Sequence, residues 1–430
     1  MKRVFYTDRS RIDLMHRCPQ ARYLAYDWDG TGIRKDTVVW DITVGICVHE
    51  GLSVLLGHYV DSTYNNIEHD IAVEDAVKSA LARLDAELSS TPFDLSELST
   101  ESLEPAPTNL YLPTPGKESV DTYLTYLIDE TKALIELLVR TYAYAPAGLK
   151  WLLDTYEILE VEQEDSFTLA ETDEFDIKFM ARADGLLRRR IDGALVVLSF
   201  KTTKMWDRRK EESAASDIQG ISEPFAIENR LGKKIEGVQM IYLLTSESRK
   251  NYAGFKERSS GLLRPWVKRG GGFIGDEYAF AASWVDDEGK SRRLGKDWAR
   301  INAWELPGGI KDYVDMIKDA FDEALRSNPL DSVIIAPMLH RREQDKATRW
   351  LEETKAQEIR VAQGLIQGES AMLATFPHHN NACAYPTRCQ FFELCWGSRL
   401  YAEAPLSSGF KRRIPHHPEE LEAQGDKYVS

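Results

Sequence analysis

Apolar positions recur at helical spacing over the first third of the chain. IDLMHRCPQARYLAY places them every three or four residues and predicts a helix over 9–28. WDITVGICVHEGLSVLLGH predicts a second helix over 40–58, ended near Gly57. Further helices are predicted over 119–143 and 147–154, while 89–118, rich in Ser, Thr and Pro and without a period, reads as a surface insertion. From residue 156 the period shortens to two. YEILEVEQEDSFTLA, FDIKFMARADGLLRRRI and GALVVLSFK read as strands. A helix over 213–231 follows, started or kinked by Pro224 and ended by Gly232, and IEGVQMIYLLT reads as a further strand. Residues 250–305 read as a hairpin-bearing insertion, 308–326 and 340–368 as helices, and 401–430 as an irregular arm. Strands mingled with helices in this order predict an α/β fold, with a mixed central β-sheet flanked by helices in a single domain over 1–400.

The strand pair around Asp192-Gly193 carries the first chemistry. With those two residues as the turn, Asp184 stands opposite Lys201 and Leu186 opposite Ser199. Side chains alternate along a strand, so 184, 186, 199 and 201 share one face. A carboxylate beside an ammonium at the end of a sheet suits phosphodiester cleavage: the carboxylate can hold Mg²⁺ or Mn²⁺, and the lysine can orient a water or a phosphate. It also suits a plain cross-strand ion pair. His49, in the apolar run GICVHEGLSVLL, is either a packed core residue or a nitrogen ligand for the same cation.

Charge narrows the picture. The net charge of −15 argues against bulk attraction to nucleic acid, yet leaves room for a local basic groove or for carboxylates that hold cations. Arg188-Arg189-Arg190, Arg208-Arg209-Lys210 and RPWVKRGGG are basic stretches that also fit solvated turns. No run of 18 apolar residues is present and the N-terminus lacks the apolar core of a signal peptide, so a cytoplasmic protein that does not span a membrane is expected. Five cysteines occur, and Cys383, Cys389 and Cys395 form C-x5-C-x5-C. Zinc knuckles use shorter spacings, whereas a [4Fe–4S] cluster tolerates varied ones and needs four thiolates. Cys18 is the candidate for the fourth, and Cys47 fits a buried apolar role. A zinc site in an unrelated scaffold is the weaker alternative.

The order of these pieces resembles the RecB-like branch of the PD-(D/E)XK nucleases, closest to its iron–sulfur exonucleases: the CRISPR-associated RecB-like, AddB-type and phage-encoded versions. The residues that carry the likeness are Cys18-Pro19, GICVH with Gly45 and His49, ARAD with Asp184, SFKT with Lys201 and Thr202, a glutamine helix, and the cysteine triplet. The resemblance implies a restriction-endonuclease-like core and metal-dependent cleavage of DNA, as single strands or at duplex ends. It implies Mg²⁺ or Mn²⁺ held at His49, Asp184 and the positions of Ser199 and Phe200. Lys201 and Gln219 join Asp184 and His49 as catalytic residues. It also implies a [4Fe–4S] cluster on Cys18, Cys383, Cys389 and Cys395, joining 10–30 to 380–397. Gln239 is the other glutamine candidate, but it falls on a predicted strand. Where the family has a tyrosine four residues beyond the glutamine, this chain has Glu223. No helicase P-loop is present, so any unwinding falls to a helicase, recombination or defence partner.

The family carries Asp or Glu two residues before the lysine; here Ser199 stands there. Three explanations are open: another acid (Glu160, Glu162 or Glu50) reaches the metal, the chain binds DNA or assembles a complex without cutting, or the serine is an engineered substitution.

Overall fold

The computed structural model describes residues 2–36, 40–60, 69–89, 120–203, 219–244 and 339–424, the last without 342, 380, 382, 384–388, 398–403 and 416. It adds the backbone of seven short strands between Asn251 and Arg300 and of Ile334–Ile335. The helix expected over 308–326, the insertion beyond Ser89 and the stretch Arg208–Lys210 lie outside the described residues.

The chain is α/β, with two mixed sheets. β1 (Arg3–Thr7) leads into α1 (Arg9–Arg17), whose first turn is capped by the Asp8 carboxylate accepting from the Arg11 N–H at 2.9 Å. The helix expected over 9–28 is broken at Cys18. A residue before proline is pushed to extended backbone, and Cys18 has φ −161° and ψ 106°. Pro19 then opens a new helical turn, and β2 (Ile33–Lys35) follows. α2 (Trp40–Gly57) ends where Gly57 predicts. α3 (His69–Ser89) has no counterpart among the expected elements, although Ala72, Val73, Ala76, Val77, Ala80 and Leu84 form its buried stripe. α4 (Val120–Tyr144) completes a helical layer over the main sheet.

The strands are β3 (Tyr156–Val161), β4 (Glu164–Glu171), β5 (Phe175–Arg182), β6 (Gly185–Arg189) and β7 (Leu195–Thr203). Helix α5 (Gln219–Leu231) then leads to β8 (Ile235–Leu244). The run read as one strand over 175–191 is two, because the chain bends at Ala183-Asp184 and changes sheet. β5 lies between β1, parallel, and β4, antiparallel. β6 lies between β3 and β7, antiparallel to both. β7 and β8 are parallel, as a helical crossover through α5 requires. β9 (Ile334–Ile335) and β10 (His340–Arg341) pair with the far side of β8. α6 (Gln344–Gln367) and α7 (Glu369–Thr375) follow; α1, α5 and α6 cover the smaller sheet through Ile12, Ala226 and Ala362.

The hairpin register differs from the expected one. Leu186 faces Val197 and Arg188 faces Leu195, two residues short of the pairing that Asp192-Gly193 predicts. The loop has four residues, 190–193, closed by the Arg189 N–H donating to the Ala194 carbonyl, with Gly193 at φ +73°. Because the slip is by two, the shared face survives, but Asp184 stands level with Ser199, and Lys201 lies one pleat beyond.

Between 404 and 424 the arm expected to be irregular contains β11 (Phe410–Arg412), antiparallel to β2, and α9 (Pro418–Gln424); α8 (Phe392–Trp396) precedes them. Glu420 of α9 is buried against Arg11 at 2.5 Å and Arg413 at 2.9 Å, which fastens this segment to α1.

Candidate functional site

The two sheets meet where β3 passes into β4 and β5 into β6. Both crossings bend together, with Glu162 at φ +51° and its N–H donating to the Asp184 carbonyl at 3.3 Å. A bulky residue at positive φ is strained, so the bend at Glu162 is held by its surroundings. It aims the Glu162 and Asp184 side chains at His49. The ligand atoms of His49, Glu162 and Asp184 all lie within 4.8 Å of one another. His49 arrives from α2, which can approach β7 because Gly45 sits one turn earlier: a Cβ there would lie 3.0 Å from Thr202 Oγ1.

The His49 Nδ1 lies 3.0 Å from Asp184 Oδ1, and the Phe200 N–H donates to Asp184 Oδ2 at 2.6 Å. Burial favours neutral forms of both side chains, but the mutual charge and hydrogen bond win. They hold His49 above the ordinary histidine value and Asp184 below the ordinary carboxylate value. Glu162 shows the opposite balance. Burial and then the Asp184 charge push it to about 7, against Arg182 and His49. Phe200 is buried, so only its backbone can act. A strand residue's N–H and C=O project to the same side, which turns the Phe200 carbonyl toward Asp184.

On the other flank of Asp184, Gln219 at the start of α5 gathers the remaining groups. Its Oε1 accepts from Lys201 Nζ and from Arg9, and its Nε2 donates to Ser199 Oγ at 2.6 Å. Ser199 is therefore engaged by Gln219. Gln239, the alternative glutamine, lies on β8 and accepts from the Tyr156 hydroxyl at 3.3 Å. Of the three acids considered for the gap, Glu160 pairs with Arg230 at 2.5 Å, Glu50 is exposed and accepts from Ser79 at 3.1 Å, and Glu162 joins the site. Arg9 had no signal in spacing. It is carried in by the parallel β1–β5 pairing, which sets α1 beside α5. The basic triplet at 188–190 takes the bland course: Arg188 pairs with Glu157, Arg189 with Asp192 and Glu236, and Arg190 donates to the Leu153 carbonyl.

The cysteines fall in two regions. Cys18, Cys389 and Cys395 share one apolar cluster with Ala21, Leu24, Ile33, Phe391 and Phe410. Cys383 joins them through the Cys389 N–H, which donates to its carbonyl at 2.9 Å, and its Sγ lies 3.3 Å from Trp396 Nε1. Burial, then the neighbouring Cys389, Cys18 and Cys383, pushes the Cys395 thiol up to about 12. Cys47 lies apart in the main core, where burial pushes its thiol to about 12.

A scan of protein-family models and a search of curated proteins found no match to this chain. Among the described residues no helix is long and apolar enough to cross a membrane.

Proposed function

We propose that the chain is a divalent-cation-dependent DNA exonuclease with a PD-(D/E)XK core, of the RecB-like iron–sulfur branch. The observation that carries the reading is the convergence of His49, Glu162 and Asp184 beside Lys201, from three stretches far apart in sequence. The donor set fits a hard cation. One imidazole and two carboxylates suit Mg²⁺ or Mn²⁺, and Glu162 is raised to about 7 by burial and a like charge that such an ion would neutralise. The Phe200 carbonyl is available as a backbone donor. When bound, the ion supplies charge neutralisation at the phosphate and acidifies a water.

The chain's own residues do the rest. Phe200 N–H fixes the Asp184 carboxylate. Lys201 presents an ammonium to the scissile phosphate or to the attacking water. Gln219 holds that ammonium in place and binds Ser199 Oγ. Cys18, Cys389 and Cys395 are soft donors in one apolar cluster, and Cys383 is held next to it through its carbonyl. They fit a [4Fe–4S] cluster that ties the two ends of the chain together.

The test is a nuclease assay with Mn²⁺ on end-labelled single- and double-stranded DNA. Cleavage that falls on the order of 100-fold in Lys201→Ala supports the reading. Absence of cleavage by the wild-type chain overturns it. Ser199 favours a second reading, a DNA-binding or assembly subunit of a recombination or defence complex on the same fold; it predicts retention of DNA without cutting. Iron and acid-labile sulfide in the purified protein, lost in Cys389→Ser, test the cluster.

A further inference from the structure

We propose that Glu223, on α5, is the carboxylate that replaces the missing acid at position 199, serving the cation site from the helix rather than from β7. The inference rests on the nuclease reading above and deepens it.

Position 199 on β7 and position 219 on α5 face each other, since Gln219 Nε2 donates to Ser199 Oγ at 2.6 Å. Glu223 lies four residues after Gln219, one turn along the same face of α5. It is 6% exposed. One carboxyl oxygen takes a hydrogen bond from Gln219, and Oε2 is buried with no hydrogen-bond partner among the described residues. An unpaired buried carboxylate oxygen is costly, and a fold retains one where something else engages it. The charged groups that act on Glu223 are Arg9, Lys201 and Asp184, which are the groups of the site itself. Burial and Asp184 raise it to about 8 despite the two cations, the same upward direction that Glu162 shows on the other flank of Asp184. Glu162 and Glu223 both feel the Asp184 charge, Glu162 with Arg182 and His49 and Glu223 with Arg9 and Lys201. A neutral hydroxyl at 199 leaves the Lys201 flank without a strand carboxylate, and Glu223 offers a carboxyl group there that a bound cation would deprotonate.

The test uses the full chain, Mn²⁺ alone as the cation probe, and the variants Glu223→Gln and Glu223→Gln/Ser199→Asp. Glu223→Gln is expected to weaken Mn²⁺ binding in calorimetric titration roughly tenfold and to slow cleavage on the order of 100-fold. Its melting temperature without Mn²⁺ should stay level or rise, because an amide replaces a buried, unpaired acid. Ser199→Asp in the same chain should bring cleavage back to within about tenfold of wild type, since it returns the carboxylate to the strand. Unchanged Mn²⁺ affinity in Glu223→Gln overturns the proposal. So does a lower melting temperature with no rescue by Ser199→Asp, the mark of a structural role. A wild-type chain that binds Mn²⁺ but cuts no DNA removes the nuclease reading alone, and the titration still decides Glu223.

Discussion

Two buried polar clusters border the helices that cover the smaller sheet, and their charges are arranged in opposite ways. In the cluster that ties α1 and the first helical turns to α6 and α9, cations meet anions. Arg22 binds Glu358 through two hydrogen bonds, 2.6 and 2.8 Å, and Arg11 binds Glu420 and Asp8. Despite burial, Arg22 holds Glu358, and Arg11 holds Asp8, below the ordinary carboxylate values. Asp27 alone in that cluster goes up, because burial outweighs Arg22 and Arg11. In the site, Glu162 and Glu223 both go up, to about 7 and about 8. In one cluster arginines stand against the acids. The other is left with acid to spare, which is the condition of a place built to receive positive charge.

The sharpest way to break the comparison is to unbalance the arginine cluster. Arg22→Met leaves Glu358 buried and unpaired, and should cost about 3–5 kcal/mol in urea unfolding. Adding Glu358→Leu should recover most of that loss. A cost below about 1 kcal/mol for Arg22→Met would mean that this pair is not holding the ends together.

A pH series separates the two clusters next. In the free protein, Glu162 and Glu223 keep protons at pH values where the unfolded chain has shed them. Their effect therefore lowers stability as pH climbs from 4.5 toward about 7 and about 8. A cation must displace the Glu162 proton, so Mn²⁺ affinity should weaken up to about tenfold per unit as pH falls below 7. Glu358 and Asp8, held down, contribute stability that is present at neutral pH and lost only as pH falls below the ordinary carboxylate range. Titrations of Mn²⁺ and urea melts at pH 6 and 8 read both. An affinity that is flat across this window would remove Glu162 from the site.

The smallest expected effect tests how the helix is seated. Gly45→Ala places a methyl 3.0 Å from Thr202 Oγ1. It should cost about 1 kcal/mol and slow cleavage about tenfold through displacement of His49. Thr202→Ala in the same chain should relieve both. A neutral Gly45→Ala would show that α2 has room to spare.

The residues of the site were legible where order along the chain was enough. His49, Asp184, Lys201 and Gln219 stand in sequence at the ends of regular elements, and the structure brings them together. Cys18 stands out as a candidate thiolate, but the break that Pro19 imposes there does not, because the helical spacing runs on through it. Other features depended on geometry that a one-dimensional pattern does not hold. The hairpin register moved by two because the left-handed residue closes a four-residue loop. The change of sheet at Ala183-Asp184 is invisible because 175–191 reads as one strand-like stretch. Glu162 was one of three acids, and only its positive φ set it apart. Glu223 read as a missing tyrosine, since burial and an unpaired oxygen have no signature in spacing. α3 carried a plain helical stripe at 72, 73, 76, 77, 80 and 84 that lay in the shadow of the irregular stretch after it.

The paired bend at Glu162 and Asp184 gives the molecule a crease. Two ribbons cross it side by side, and each half of the fold owns one end of each ribbon. A change of angle between the halves bends the very backbone that carries both carboxylates. An ion seated on the crease would rivet the halves, and its grip would report on the posture of the whole molecule.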